Sequence, residues 1–122
     1  MASRGEKLNS IIQTLRTSST DILGAAIVSI DGFVMASALP SEAEEDVVAA
    51  MAAAMLGMSE RIATELLGAD MQQVFVKAQT GYVILNAAGE EAMLVTLTTR
   101  NAKLGLVFLD TRRAADSVAE IL

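Results

Sequence analysis

The chain has 122 residues, of which 52% are hydrophobic but only 3% aromatic, and a formal net charge of −6. That length is roughly one domain's worth, and at 12.8 kDa area scaling leaves roughly 6,300 Å² exposed of about 18,600 Å² unfolded, enough for one core and too little for two. With no Cys, His or Trp, thiolate nucleophiles, disulfides, most zinc sites and every His-based triad are excluded, and the acidic balance argues against a nucleic-acid partner.

At the N-terminus, MASRGEKLNSII has charges scattered through it and no apolar core of roughly 7–15 residues, so it does not read as a signal peptide. Ser3 and Glu6 form an S-x-x-E capping box, hydroxyl to a backbone donor and carboxylate back to the cap. Leu8, Ile11, Ile12 and Leu15 then recur at helical spacing, with Arg4, Lys7, Gln13 and Arg16 as polar companions. A surface helix with one buried stripe is predicted, ended by the polar run from Thr17 to Asp21. Next come ILGAAIVSI, Asp31-Gly32 and FVMASAL. Asp-Gly between two apolar runs predicts a hairpin through a type I′ turn, which needs positive φ at both central residues. The flanking runs are nearly continuous rather than alternating, so both faces of the sheet should be covered.

Pro40 stops the second strand, and Ser41 with Glu44 makes another capping box. Glu42, Glu44, Glu45 and Asp46 crowd a first turn, where they favour the positive end of the helix dipole. A helix over 42–67 is predicted, with Gly68 as its stop. Its longest uncharged run, Val47 to Ser59, falls short of the ~20 apolar residues of a membrane helix, so the chain reads as cytoplasmic, with no membrane partner. Two hairpins follow: MQQVFVKAQ and YVILNAA flank Thr80-Gly81, and AMLVTLT follows Gly89-Glu90-Glu91. In the last stretch LGLVFL has strand propensity. Yet Leu104, Val107, Phe108, Thr111, Ala115, Val118 and Leu122 hold one helical face, with Arg112, Arg113, Asp116 and Glu120 opposite; a helix from about residue 102 is the expectation. The order is α-ββ-α-βββ-α. It predicts a single α+β domain over 1–122, a five-stranded antiparallel sheet with helices on both faces.

In the central helix, Val47, Val48, Met51, Met55, Met58, Ile62 and Leu66 fall within an arc of roughly 100°. That stripe is expected to lie on the sheet as core filler. On the far side stand Ala49, Ala53, Gly57, Glu60 and Thr64, with Ala50, Ala54 and Leu56 beside them, and no charge occurs from 47 to 59. A lone surface helix would carry Lys and Glu there. Either the helix is buried within its own domain, or it packs against its own copy across a two-fold axis, small residues at i, i+4 and i+8 letting the backbones approach. The second is expected, because a two-layer domain of this length has little left over to cover that face.

No catalytic constellation emerges. The chain lacks GxxxxGK[ST], and its glycines form no GxGxxG. Without His or Cys, catalysis would fall to carboxylates, Lys, Tyr82 or hydroxyls. Glu90-Glu91 reads as a solvated loop and Asp31 as a turn residue; Arg112-Arg113 reads as the polar face of a helix, able to receive an acidic partner. No catalytic residue, cofactor or metal is expected.

GAAIVSIDGFVMAS (Gly24 to Ser37) with its D-G turn, the Ala-rich helix 42–67, TGYVILNAAGEEAMLVTLT and the NAKLGLV…RRAAD ending follow one another at a spacing that resembles the Roadblock/LC7 family, from about Leu8 to Leu122. The resemblance implies a homodimer with the central helices paired and the sheets joined edge to edge at the third strand, about 71–79. The expected interface is Ala49, Ala50, Ala53 and Gly57 with Val74, Phe75 and Val76. The family supplies adaptors and regulators of Ras-like small GTPases and light chains of dynein motors, so the resemblance implies an adaptor that binds such a GTPase and is not itself an enzyme. No motif marks Arg61, Arg100, Arg112 or Arg113 as a catalytic arginine, so any effect on hydrolysis would come from remodelling the partner's own switch loops. The contact is expected at the outer rim of the paired helices, at Glu60, Arg61, Thr64 and Glu65. A light-chain-type scaffold without a GTPase and a small-molecule sensor are the alternatives; the low aromatic count weighs against the sensor.

Overall fold

A computed structural model describes residues 2–122. In chain order the elements are α1 (Arg4–Ser18), β1 (Ile22–Ser29), β2 (Val34–Ala38), α2 (Glu45–Leu67), β3 (Gln73–Ala78), β4 (Gly81–Ala88), β5 (Ala92–Thr99) and α3 (Leu104–Ile121). The strands form one sheet in the order β2-β1-β5-β4-β3, every neighbouring pair antiparallel. The three strands with nearly unbroken apolar runs, β1, β4 and β5, take the interior places. The more polar β3 is an edge, and it is mostly exposed.

Strand alternation sends side chains to opposite faces, and the two faces collect different helices. Leu8, Ile12 and Leu15 of α1 and Ala114, Ala115 and Val118 of α3 pack on Ile22, Ala25 and Ile27 of β1 and Leu94 of β5. On the other face α2 alone packs on Ala26 and Val28 of β1, Leu85 of β4 and Met93 and Val95 of β5. A third cluster, Tyr82, Ile84 and Val107, continues the α3 side toward β3. The C-terminal segment is a helix: Val107, Thr111, Ala115 and Val118 are buried while Arg112, Arg113, Asp116 and Glu120 are exposed. Strand propensity in LGLVFL loses to helical periodicity because only the helix buries that stripe.

Three local expectations are corrected. At α1 the Glu6 N–H donates to Ser3 Oγ at 3.2 Å, as the capping box requires, but the Glu6 carboxylate accepts from the Ser3 hydroxyl at 3.2 Å instead of reaching the backbone. At α2 the residue before the helix is Glu44, which makes no side-chain cap hydrogen bond; Pro40 to Ala43 form a separate turn in which the Ala43 N–H donates to the Pro40 carbonyl at 3.0 Å. The Glu45 carboxylate instead accepts from the Ser37 hydroxyl of β2, anchoring the helix start to the sheet edge. The β1–β2 connection is not type I′, since only Gly32 has positive φ, 89°, and Asp31 does not. Gly32 N–H donates to Ser29 O at 2.9 Å and Ser29 N–H to Phe33 O at 2.8 Å. This is the three-residue loop in which a turn is followed by a left-handed glycine.

Gly81 is required by the sheet itself. A Cβ on Gly81 would lie 1.9 Å from the Thr98 carbonyl oxygen on β5, so β4 and β5 approach as they do only because residue 81 has none. Gly81→Ala should destabilise the fold by roughly 2–3 kcal/mol, read as a lower urea midpoint with unchanged slope. Thr96, fully buried in β5, has a hydroxyl with no hydrogen-bond partner among the described residues. Thr96→Val keeps the shape and removes that group, so it should stabilise by about 1 kcal/mol and raise Tm by about 3–5 °C in a thermal melt.

Candidate protein interface

α2 is rotated about its axis relative to the expected orientation. Ala49, Ala52, Leu56 and Ser59 are its buried residues, and Ala53 and Ala63 pack beside them. The expected stripe is split: Val48 and Met55 are half-buried against this cluster, whereas Met51 is 69% and Met58 60% exposed, and Val47, Ile62 and Leu66 are exposed with them. Small side chains face the sheet, and the left-handed Gly32 turn comes within reach of Ala49 and Ala53. Ser59, the polar member of the buried face, donates to its own helix, to Met55 O at 2.5 Å and Leu56 O at 3.2 Å, which removes its need for an outside partner. With both sides of the helix apolar from 47 to 59, summed hydrophobicity could not choose between them.

The expected interface residues therefore part company. Ala49 is buried under its own helix, Ala53 is half-buried there, and Ala50 and Gly57 stay on the open side, with nothing within 4 Å of a Cβ built on Gly57. On β3, Val74 is half-buried on the α2 side, and alternation places the exposed Val76 on that side too. Phe75 points to the α3 side, where its ring centroid is 6.1 Å from Tyr82 and 5.5 Å from Phe108. One side of β3 pairs with β4 and the other has no strand beside it.

The quartet at the end of α2 also divides. Arg61 and Glu65 form an ion pair at 3.3 Å on the open face, both side chains solvated, a pair that contributes little to stability. Glu60 and Thr64 line a polar hollow of about 510 Å³ between α2 and the β4–β5 turn, with Ile30, Leu56 and Glu90 among its walls. The sequence reading missed the two apolar residues that flank the Asp-Gly turn. Ile30 borders the hollow, and Phe33 beyond the turn is 71% exposed. The signal was present, since a turn tip gains nothing from apolar side chains unless something covers them.

By length and composition α2 could cross a membrane; counting only its uncharged run understated it. Its buried stripe, however, is seated on the sheet. The resulting surface is apolar along α2, polar at the helix end and open at the edge of β3. Among the described residues no three His, Cys, Asp or Glu side chains cluster as a metal site would require. What the arrangement can do is bind a protein.

Known proteins place the chain. It is 37% identical over 97 residues to the uncharacterised protein MJ0310 of Methanocaldococcus jannaschii, covering 80% of this chain and 84% of that one. It is 35% identical over 105 residues to MJ0714 of the same organism, covering 85% and 88%. Among solved structures, MglB of Myxococcus xanthus superposes with a TM-score of 0.88 at 20% identity, covering 99% of this chain and 91% of that one. The gliding protein MglB of Thermus thermophilus gives 0.86 at 24%, covering 99% and 92%. A Roadblock/LC7 domain of Streptomyces avermitilis gives 0.83 at 22%, covering 92% and 94%. These structures share the α-ββ-α-βββ-α fold, and the Roadblock/LC7 domain model matches residues 8–98. The chain belongs to the Roadblock/LC7 family.

Proposed function

We propose that this protein is a homodimeric cytoplasmic adaptor that binds a Ras-like small GTPase and acts on it without an active site of its own. The observation that carries the first half is the uncovered apolar face of α2. Met51, Met58 and Ile62 stand exposed in a row, about two helical turns and then about one apart, each worth about 1.5–3 kcal/mol when fully buried. The single chain exposes 7364 Å², on the order of 1,000 Å² more than the roughly 6,300 Å² of a monomer of its mass. One partner contributes about 800 Å² to an interface of standard size. A two-fold axis beside α2 would lay that stripe against its own copy. The free edge of β3, with Val76 on the same side of the sheet as α2, supports strand pairing across the same axis.

The GTPase follows from family membership and the polar rim. Glu60, Arg61, Thr64 and Glu65 lie where the apolar face gives way to charge, the arrangement of a polar rim around an apolar interface core. Such residues can steer and orient a partner, and switch loops that they contact would be remodelled rather than supplied with a catalytic group.

Met58→Glu should leave the fold intact, because Met58 is 60% exposed, and should weaken self-association by at least about 100-fold, or about 2.7 kcal/mol. Sedimentation equilibrium measures this, and a variant as dimeric as the parent removes α2 from the interface. Amide exchange in β3 should be slow in the parent and fast on its outward-facing N–H groups in that variant. Equal rates in both would mean that the edges do not pair.

Reversing charge at both Glu60 and Arg61 should weaken binding of the cognate GTPase, loaded with a non-hydrolysable nucleotide, while the dimer persists. The loss should shrink as salt rises, since rim charges act mainly on association rate. Calorimetric titration at two ionic strengths gives the answer, and unchanged affinity would move the contact off this rim. Hydrolysis of GTP by the protein alone would overturn the adaptor reading.

A further inference from the structure

A second surface lies on the opposite face of the sheet from the exposed side of α2. Between α3 and the edge strand β3 runs an open groove of about 690 Å³. Its wall follows α3 from Gly105 to Asp116, a length of about 16 Å at the helical rise. Its floor includes Gln73 of β3 and Asn86 of β4, which are paired in the sheet register. Asn86 is only 4% exposed, and its Oδ1 has no hydrogen-bond partner among the described residues. A buried carboxamide left unpaired is uncommon and calls for an explanation. No other structural need accounts for it, since the neighbouring residues on that side of β4, Ile84 and Ala88, are apolar and fully packed.

The groove also holds a free cation. Among the described residues the ion pairs are Arg4–Glu91 and Arg61–Glu65, so Arg112, on the groove wall, has no carboxylate within 4.0 Å. Asp116 stands one turn further along the same wall and repels a second acid there. Phe108 and Leu109 supply apolar surface between these polar groups.

We propose that this groove binds an extended peptide segment of about five residues carrying one carboxylate. The length follows from the groove, since a strand rises about 3.3 Å per residue. The carboxamides of Asn86 and Gln73 each offer one donor and one acceptor edge, the complement of a peptide group. Arg112 takes the carboxylate in a charge-assisted pair, and Phe108 and Leu109 take an apolar side chain beside it. Of the two arginines that follow one another in α3, only Arg112 lines this groove; Arg113 lines the cleft between α1 and α3.

The test uses the full chain, isotope-labelled, and two pools of end-capped synthetic pentapeptides rich in Leu, Phe and Met. One pool carries a single Asp or Glu, the other Asn or Gln in its place. The acidic pool should shift the side-chain amide signals of Asn86 and Gln73 and the Nε signal of Arg112, with the neutral pool at least tenfold weaker. Arg112→Gln, at an exposed position, should make the two pools equal. Asn86→Leu replaces the unpaired carboxamide with an apolar side chain of similar size. It should weaken the acidic pool at least tenfold while Tm stays at or above that of the parent, a combination that a purely structural Asn would not give. If Asn86→Leu does not fold, the Arg112→Gln comparison decides alone. Failure of both pools to shift these signals at millimolar concentration overturns the proposal. So does an acid preference that survives Arg112→Gln, or capped single amino acids binding as tightly as the pentapeptides.

Discussion

A sheet has two faces, and this chain has three helices with which to cover them. α1 and α3 share one face, and α2 is left to cover the other alone. One helix is about 10 Å wide, whereas five strands spaced at about 4.8 Å span roughly twice that or more. The shortage cannot be removed by better packing inside the chain. It leaves Val76 of the end strand β3 uncovered, and it leaves α2 without a layer above it. Everything on the α2 side of the molecule that invites a partner descends from that count of helices.

The way α2 is seated decides how the shortage is expressed. Ala49, Ala52, Ala53 and Ala63 face the sheet, and Leu56 packs in the same cluster as Leu85 and Met93. The larger side chains, Met51, Met58 and Ile62, are then forced outward. Methionine suits such a place, because its unbranched, polarisable side chain adapts to the surface it meets. The same helix therefore serves two layers, as a close-fitting lid on its own core and as an apolar platform toward solvent. Its ends differ too. The start is tied to β2 through Ser37 and Glu45, while the last turns, with the Arg61–Glu65 pair, project into solvent.

The opposite face is complete where α1 and α3 meet and thins out toward β3. There the aromatic residues gather: Phe75, Tyr82 and Phe108 form one cluster, with Lys77 Nζ 6.0 Å from the Tyr82 ring. In a chain with so few aromatics, their concentration beside the edge strand stiffens the one part of the sheet that has a neighbour on only one side. The groove that holds Asn86 and Arg112 lies next to this cluster, with Phe108 common to both.

Much of this was legible in the residues. The nearly continuous apolar runs either side of Asp31-Gly32 predicted a sheet covered on both faces, the family resemblance placed the strand at about 71–79 at an edge, and the spacing from Leu104 to Val118 outweighed local strand propensity. Gly68 marked the end of α2, where it adopts a left-handed φ of 64°. Other features were open to error because the sequence offers two solutions of similar value. Asp-Gly suits more than one turn, and Ser29 accepts and donates the hydrogen bonds that select the three-residue form. The two sides of α2 are both apolar, and a hydrophobic pattern alone favours the bulkier one. Periodicity and chemistry, being local, were settled by the sequence itself: the element order, the sheet class, and the lack of thiol and imidazole chemistry. Which side of α2 meets the sheet, whether Asn86 finds a partner and which arginine borders a groove were decided only by tertiary structure. Each depends on how whole elements pack against one another, and that packing is a property of all the side chains between them rather than of any one segment.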